Sequence, residues 1–96
     1  MASSLKTLYL SNNFITELQN ITQFQSLEHL SLANNNVCNY LIQISQITSL
    51  RYLKVLKKLT HLSLEANPIS KHHLYQTYVV GVSNGLRVLD QEQISR

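Results

Sequence analysis

Charge, cysteine and glycine are all scarce in this 96-residue chain. Only 14% of its residues are charged while 44% are hydrophobic, where a typical domain carries about a quarter charged. The polar surface must instead come from Ser, Thr, Asn and Gln, which suits docking more than solvation. The one cysteine, Cys38, has no partner for a disulfide within the chain, so nothing implies secretion. It follows Val37, where semi-buried packing is expected. Two glycines leave no glycine-rich phosphate loop. No apolar run approaches the roughly 18 residues of a membrane-spanning helix. The first ten residues lack both a basic leader and a long apolar core, so no signal peptide is expected. The expected location is cytoplasmic, with nucleus and cilium as alternatives.

The net charge of +3 is unevenly placed. Lys6 against Glu17 and Glu28 leaves residues 1–50 at −1, whereas seven bases against Glu65, Asp90 and Glu92 leave residues 51–96 at +4. Four of those bases, Arg51, Lys54, Lys57 and Lys58, fall within eight residues. They form either a solvated helix face or a patch that steers an acidic partner.

What the chain does have is a repeated frame. Leu5, Leu8, Leu10, Asn13 and Ile15 are followed 22 residues later by Leu27, Leu30, Leu32, Asn35 and Val37. The frame returns at Leu59, Leu62, Leu64, Asn67 and Ile69. This LxxLxLxxNx[IV] pattern and its period are those of a leucine-rich repeat. The predicted class is α/β: a short solenoid with parallel strands on the concave face, helical or 3₁₀ segments on the convex face and a helical carboxyl-terminal cap. Each LxxLxL supplies a short strand, with its last two leucines alternating inward. Asn13, Asn35 and Asn67 are structural residues. Their amides can satisfy backbone groups left unpaired where the chain turns in after each strand, bonding across repeats.

Between strands, Ile15, Leu18, Ile21 and Phe24 recur every three residues, which predicts a 3₁₀ or short helical segment. The second repeat is longer, with 32 residues from Leu27 to Leu59. Its apolar spacing predicts an outer helix over 40–57, with a degenerate strand at Leu50, Leu53 and Val55 as the alternative. After Pro68, Ser70 is a fair N-cap, and Leu74, Tyr75, Tyr78, Val79 and Val82 predict a helix over 71–82. Asn84-Gly85 marks a turn, Leu86, Val88 and Leu89 add an edge segment, and Ile94 folds back. The expected organisation is one domain over 1–96: repeats over 5–26, 27–58 and 59–69, then a cap over 70–95. The apolar side of the first repeat has no cap ahead of it. The chain is therefore read as a piece or short form of a longer repeat protein, as a monomer whose partner covers that side, or as a dimer through it.

These repeats resemble the intracellular 22-residue class that includes the nuclear regulatory subunit of protein phosphatase 1 and the outer-arm axonemal dynein light chain. The stretch NPISKHHLYQTYVVGVSNGLRVLDQEQIS, Asn67 to Ser95, resembles the cap shared by the spliceosomal A-prime protein, the acidic nuclear phosphoprotein 32 family and tubulin-cofactor and ciliary repeat proteins. In that cap a helix with a central tyrosine leads to a leucine-aspartate pair. The likeness implies that Tyr75 or Tyr78 fills the tyrosine place, Tyr78 being assigned here, with Leu89 and Asp90 as the pair. Ser83-Asn84-Gly85-Leu86 departs from the family in having no proline there.

In such a fold the non-leucine positions of the strands face the concave side. Stacked across repeats, Thr7, His29 and His61 form one row and Tyr9, Ser31 and Ser63 another. With Glu28, Glu65 and Arg87 they are the candidate protein-binding residues. Tyr9 is the aromatic anchor of a row that is otherwise small and hydroxylated. Nothing selects a catalytic triad, and no third ligand aligns with His29 and His61, so neither metal nor cofactor is expected. The expected function is a non-enzymatic interaction module, an adaptor or scaffold of cytoskeletal or ciliary type or a phosphatase-targeting subunit. The alternatives are a ribonucleoprotein component and a truncated isoform with only a structural role. The chain lacks the interleaved aromatic and basic residues that stack on bases, so direct nucleic-acid binding is not expected.

Overall fold

The computed structural model describes residues 4–13, 19–35 and 51–94. Its strands are β1 (Thr7–Tyr9), β2 (His29–Ser31), β3 (His61–Ser63), β4 (Val88–Leu89) and β5 (Glu92–Gln93), and its one α-helix among the described residues is α1 (Tyr75–Val82). They form a single sheet in the order β1-β2-β3-β4-β5. The first three pairings are parallel and the last is antiparallel. Leu8, Leu30, Leu62 and Leu89 stand in line across the sheet.

One hydrogen-bond rule is repeated from strand to strand. The carbonyl of Lys6 accepts the N–H groups of Glu28 at 2.8 Å and His29 at 3.0 Å. The Glu28 carbonyl takes Thr60 and His61 in the same way, and the Thr60 carbonyl takes Arg87 and Val88. Identical sequence frames therefore lock into register, each buried leucine beneath its counterpart.

The leucines form one core. Leu27, Leu30, Leu32, Leu59, Leu62 and Leu64 are buried and join Ile21, Leu53, Leu56, Ile69, Tyr75, Val79, Leu86 and Leu89. Leu5, Leu8 and Leu10 are only half-buried, because among the described residues no strand packs on the outer side of β1.

The asparagines follow the same logic. The Asn35 amide donates to its own Leu32 carbonyl at 3.0 Å and to Leu10 of the preceding repeat at 2.8 Å. Asn67 donates to Leu64 at 2.9 Å and back to Leu32 at 2.7 Å. Both side chains are buried and both span two repeats. Asn13 differs from the expected cross-repeat role. It is exposed, and among the described residues its amide donates to the Leu10 and Ser11 carbonyls of its own turn. The residue before each ladder asparagine has positive φ: 63° at Asn12, 57° at Asn34 and 60° at Ala66.

The 3₁₀ segment expected after β1 is present at Gln19–Gln23, with Ile21 buried. Ile15 and Leu18 lie outside the described residues, as do Val37, Cys38 and residues 36–50 of the long second limb. Its described end, 51–55, is a 3₁₀ turn with Leu53 buried. The segment carrying Leu53 and Val55 is thus not the alternative strand.

The cap helix starts later than the expected 71–82. Pro68–Lys71 is a 3₁₀ turn with Ile69 buried, and His72 is extended (φ −69°, ψ 136°) before α1 begins at Tyr75. Burying Ile69 ends the first turn, and the extended residue re-aims the chain. Ser70 consequently does not cap α1; its hydroxyl donates back to the Asn67 carbonyl at 2.7 Å. β4 and β5 are joined by Asp90 and Gln91, at φ 53° and 70°. Positive φ at both central positions gives the tight hairpin its twist. Ile94 then returns to bond the Arg87 carbonyl at 2.8 Å and packs against the core.

Candidate protein-binding face

Alternation within three-residue strands turns one leucine inward and its two neighbours outward. The outer neighbours make two rows, Thr7-His29-His61-Val88 and Tyr9-Ser31-Ser63. Strands lie about 4.8 Å apart, so identical residues in register must meet. His29 and His61 do so, their rings stacked with centroids 4.2 Å apart and planes inclined by 17°.

The neighbouring residue orients His61. The Thr60 hydroxyl donates to the Glu28 carbonyl at 3.1 Å and lies 2.9 Å from His61 Nδ1. With the hydroxyl hydrogen aimed at the carbonyl, Nδ1–H donates to Thr60, and Nε2 is left as the ring's acceptor. Along the other row, the Ser11 and Ser31 hydroxyls are 2.7 Å apart. Tyr9 stands out at one end, 71% exposed. At the far end Glu65 is held by Gln91 Nε2 at 3.0 Å and by the Ser63 hydroxyl at 3.3 Å, both donating to Oε1.

These side chains surround an open cleft of about 710 Å³ whose walls also include Ser11, Asn12, Ala33, Asn34, Ala66, Val88 and Gln91. Of the candidate binding residues, Tyr9, His29, Ser31, His61, Ser63 and Glu65 line it. Thr7, Glu28 and Arg87 do not. Thr7 is exposed on the outermost strand. Glu28 contributes its carbonyl to the next repeat. Arg87 is exposed, with its N–H and carbonyl engaged in holding the cap to β3 and to Ile94.

Val88 and Gln91 were not among the residues predicted from sequence. Val88 pairs with His61, so extending the row one strand into the cap finds it. Gln91 reaches Glu65 only because of the positive-φ turn, and no local sequence pattern announces that contact. Among the described residues no group of three or more His, Cys, Asp or Glu side chains is placed to hold a metal. No helix among them is long and apolar enough to cross a membrane.

Beneath the face, Asp90 joins cap to repeats. Leu10 N–H donates to Ser31 and Leu32 N–H to Ser63, each to a strand carbonyl at 2.8 Å. At the next step the chain turns away, and Leu64 N–H donates to Asp90 Oδ1 at 2.8 Å instead. Of the two candidate cap tyrosines, Tyr75 is the one that meets Asp90: its hydroxyl donates to Asp90 Oδ2 at 2.8 Å. Tyr78, one helical turn on, is half-buried against the core. Burial, with Asp90 and Glu65 as nearby negative charges, pushes the Tyr75 phenol well above its usual range.

Comparison with known proteins agrees with this architecture. Residues 3–45 match the family described as leucine-rich repeats (2 copies). The chain is 34% identical over 107 residues to dynein axonemal assembly factor 11 of Danio rerio, covering 96% of this chain and 24% of that protein. It is 39% identical over 88 residues to U2 small nuclear ribonucleoprotein A′ of Arabidopsis thaliana, covering 90% of this chain and 32% of that protein. The chain thus spans less than a third of the length of either of these two relatives. Its fold superimposes on the Drosophila melanogaster SNF/U2A′ complex with a TM-score of 0.79 and 31% identity, over 96% of this chain and 50% of that one. The chain is a leucine-rich-repeat-fold domain, structurally and distantly related to the U2A′ proteins.

Proposed function

We propose that this domain is a protein-interaction module, an adaptor that grips a helical or extended segment of a partner along its concave face. The observation that carries this reading is the pair of in-register rows of outward-facing strand residues. Stacked His29 and His61, the small Ser31 and Ser63 and the projecting Tyr9 together make a cleft open to solvent yet ordered by the sheet beneath. Tyr and His offer an apolar body with a polar tip, which is what a partly wet interface needs. Replacing Tyr9, His29 and His61 together with Ala should abolish partner capture from native extract while circular dichroism stays unchanged. Capture that survives moves the interface to the convex side or the β1 end.

A second reading makes the partner a ribonucleoprotein protein, which the likeness to U2A′ supports. Under this reading the domain would act in the nucleus, and the likeness to an axonemal assembly factor supports a ciliary alternative. Phosphatase targeting belongs to the same partner-level alternatives. Under the ribonucleoprotein reading, Arg51, Lys54, Lys57 and Lys58, all exposed, are available to a phosphate backbone. Arg51 is partly engaged, its guanidinium 4.5 Å over the Tyr52 ring. Salt-dependent RNA retention that disappears on reversing these four charges supports this assignment; retention that persists refutes it.

A further inference from the structure

Among the described residues, the walls of the concave cleft carry one formal charge. Apart from the two histidines, every residue lining it is neutral except Glu65. The Glu65 carboxylate is half-buried, and Gln91 and Ser63 both donate to its Oε1. The side chain is thereby fixed in one position at the end of the cleft away from Tyr9. Among the described residues no lysine or arginine pairs with Glu65, although bases outnumber acids in the chain. A carboxylate held by neutral donors keeps its full charge, and within a cleft that charge is less screened than on open surface.

Resting on the interaction-module reading above, we infer that the concave cleft selects a protein segment carrying a lysine or arginine that pairs with Glu65, at a set distance from the residue that packs on Tyr9. Tyr9 belongs to β1, while Glu65 lies just beyond β3. Glu65 lies two strand spacings across from Tyr9, about 10 Å, and two residues further along the strand direction, which makes the separation roughly 12 Å. A segment crossing the strands obliquely covers that distance in about four residues if extended and about eight if helical. The ligand signature is therefore an apolar or aromatic residue and a basic residue about four or about eight apart. Ser31 and Ala33, both in the cleft lining, lie beneath the stretch between them. A basic residue suits Glu65 because its free oxygen can take a charge-assisted bond that neutral side chains match poorly.

The test uses the full chain as bait for a displayed library of random 12-residue peptides, with binders sorted by whether they are lost on Tyr9→Ala or His61→Ala. The cleft binders are expected to be enriched in Lys or Arg at one of the two spacings. Their affinity should fall at least tenfold on Glu65→Gln and weaken with added salt. Reselection on Glu65→Lys should exchange the enriched base for Asp or Glu; this second variant guards against simple loss of the Gln91 and Ser63 contacts, and circular dichroism verifies that both variants fold. Cleft binders that lack a basic residue and ignore Glu65→Gln overturn this inference while leaving the interaction-module reading intact. Peptides indifferent to Tyr9 and His61, or no retained peptides at all, overturn both.

Discussion

The hydroxyl of Tyr75 donates a 2.8 Å hydrogen bond to Asp90 Oδ2, while the other oxygen of that carboxylate accepts the Leu64 N–H. Asp90 thus stands in for the strand carbonyl that a further repeat would have supplied, and Tyr75 fixes the carboxylate from α1. Tyr75→Phe keeps the ring in the core and removes one charge-assisted bond. The expected loss is about 1–2 kcal/mol, measured by urea unfolding. The same variant tests linkage. Because the Tyr75 phenol is raised in the fold, its contribution is complete below the unfolded tyrosine value of about 10 and declines above it, where the unfolded chain loses the proton first. The native chain should therefore lose stability more steeply than Tyr75→Phe above pH ~10. Equal slopes would remove the assignment.

The asparagine ladder predicts a graded mutational series. Asn67→Ala removes a buried amide serving carbonyls in two repeats and should cost about 2–4 kcal/mol, since those acceptors are left unpaired away from water. Asn13→Ala, at an exposed turn, should cost less than about 1 kcal/mol. Equal losses in denaturant midpoint would mean that cross-repeat bonding is not what the ladder contributes.

Ala66 occupies the left-handed position that Asn12 and Asn34 fill in the other repeats. Alanine is penalised there because its Cβ crowds the following carbonyl, whereas asparagine tolerates the conformation. Ala66→Asn should raise stability by about 0.5–1 kcal/mol, read as a higher melting temperature. The substitution sits at the cleft wall, so the melt is best followed without partner.

Leu62 and Leu8 share a position in the frame but not an environment. Leu62 is buried between neighbouring strands, and Leu8 is half-buried on β1. Leu62→Ala should cost about 3–4 kcal/mol, enough to unfold much of a domain this small. Leu8→Ala should cost about half of that or less, because less apolar surface is returned to water. A reversed order in chemical unfolding would contradict the shared core.

Much of the fold was legible because repetition makes each residue report three times. Leu30 alone is one apolar residue; Leu8, Leu30 and Leu62 at equivalent frame positions define an inward row, and Thr7, His29 and His61 follow as its neighbours. The start of α1 was not legible, because Ser70 reads as a cap locally while burial of Ile69 ends the turn first. The choice between Tyr75 and Tyr78 was equally closed to sequence. Both fall on apolar helix positions, and only the packing angle of α1 decides which hydroxyl meets Asp90.

For the cleft, the chain order alone determined which side chains share the outward face, since strand alternation and an in-register parallel sheet admit no other arrangement. Tertiary structure decided which of them converge. Glu28 sits beside His29 in sequence yet lies outside the cleft lining. Gln91, 26 residues from Glu65, holds its carboxylate. The reason is physical: periodicity specifies direction from the backbone, whereas contact between distant residues depends on where a tight turn aims the chain in three dimensions.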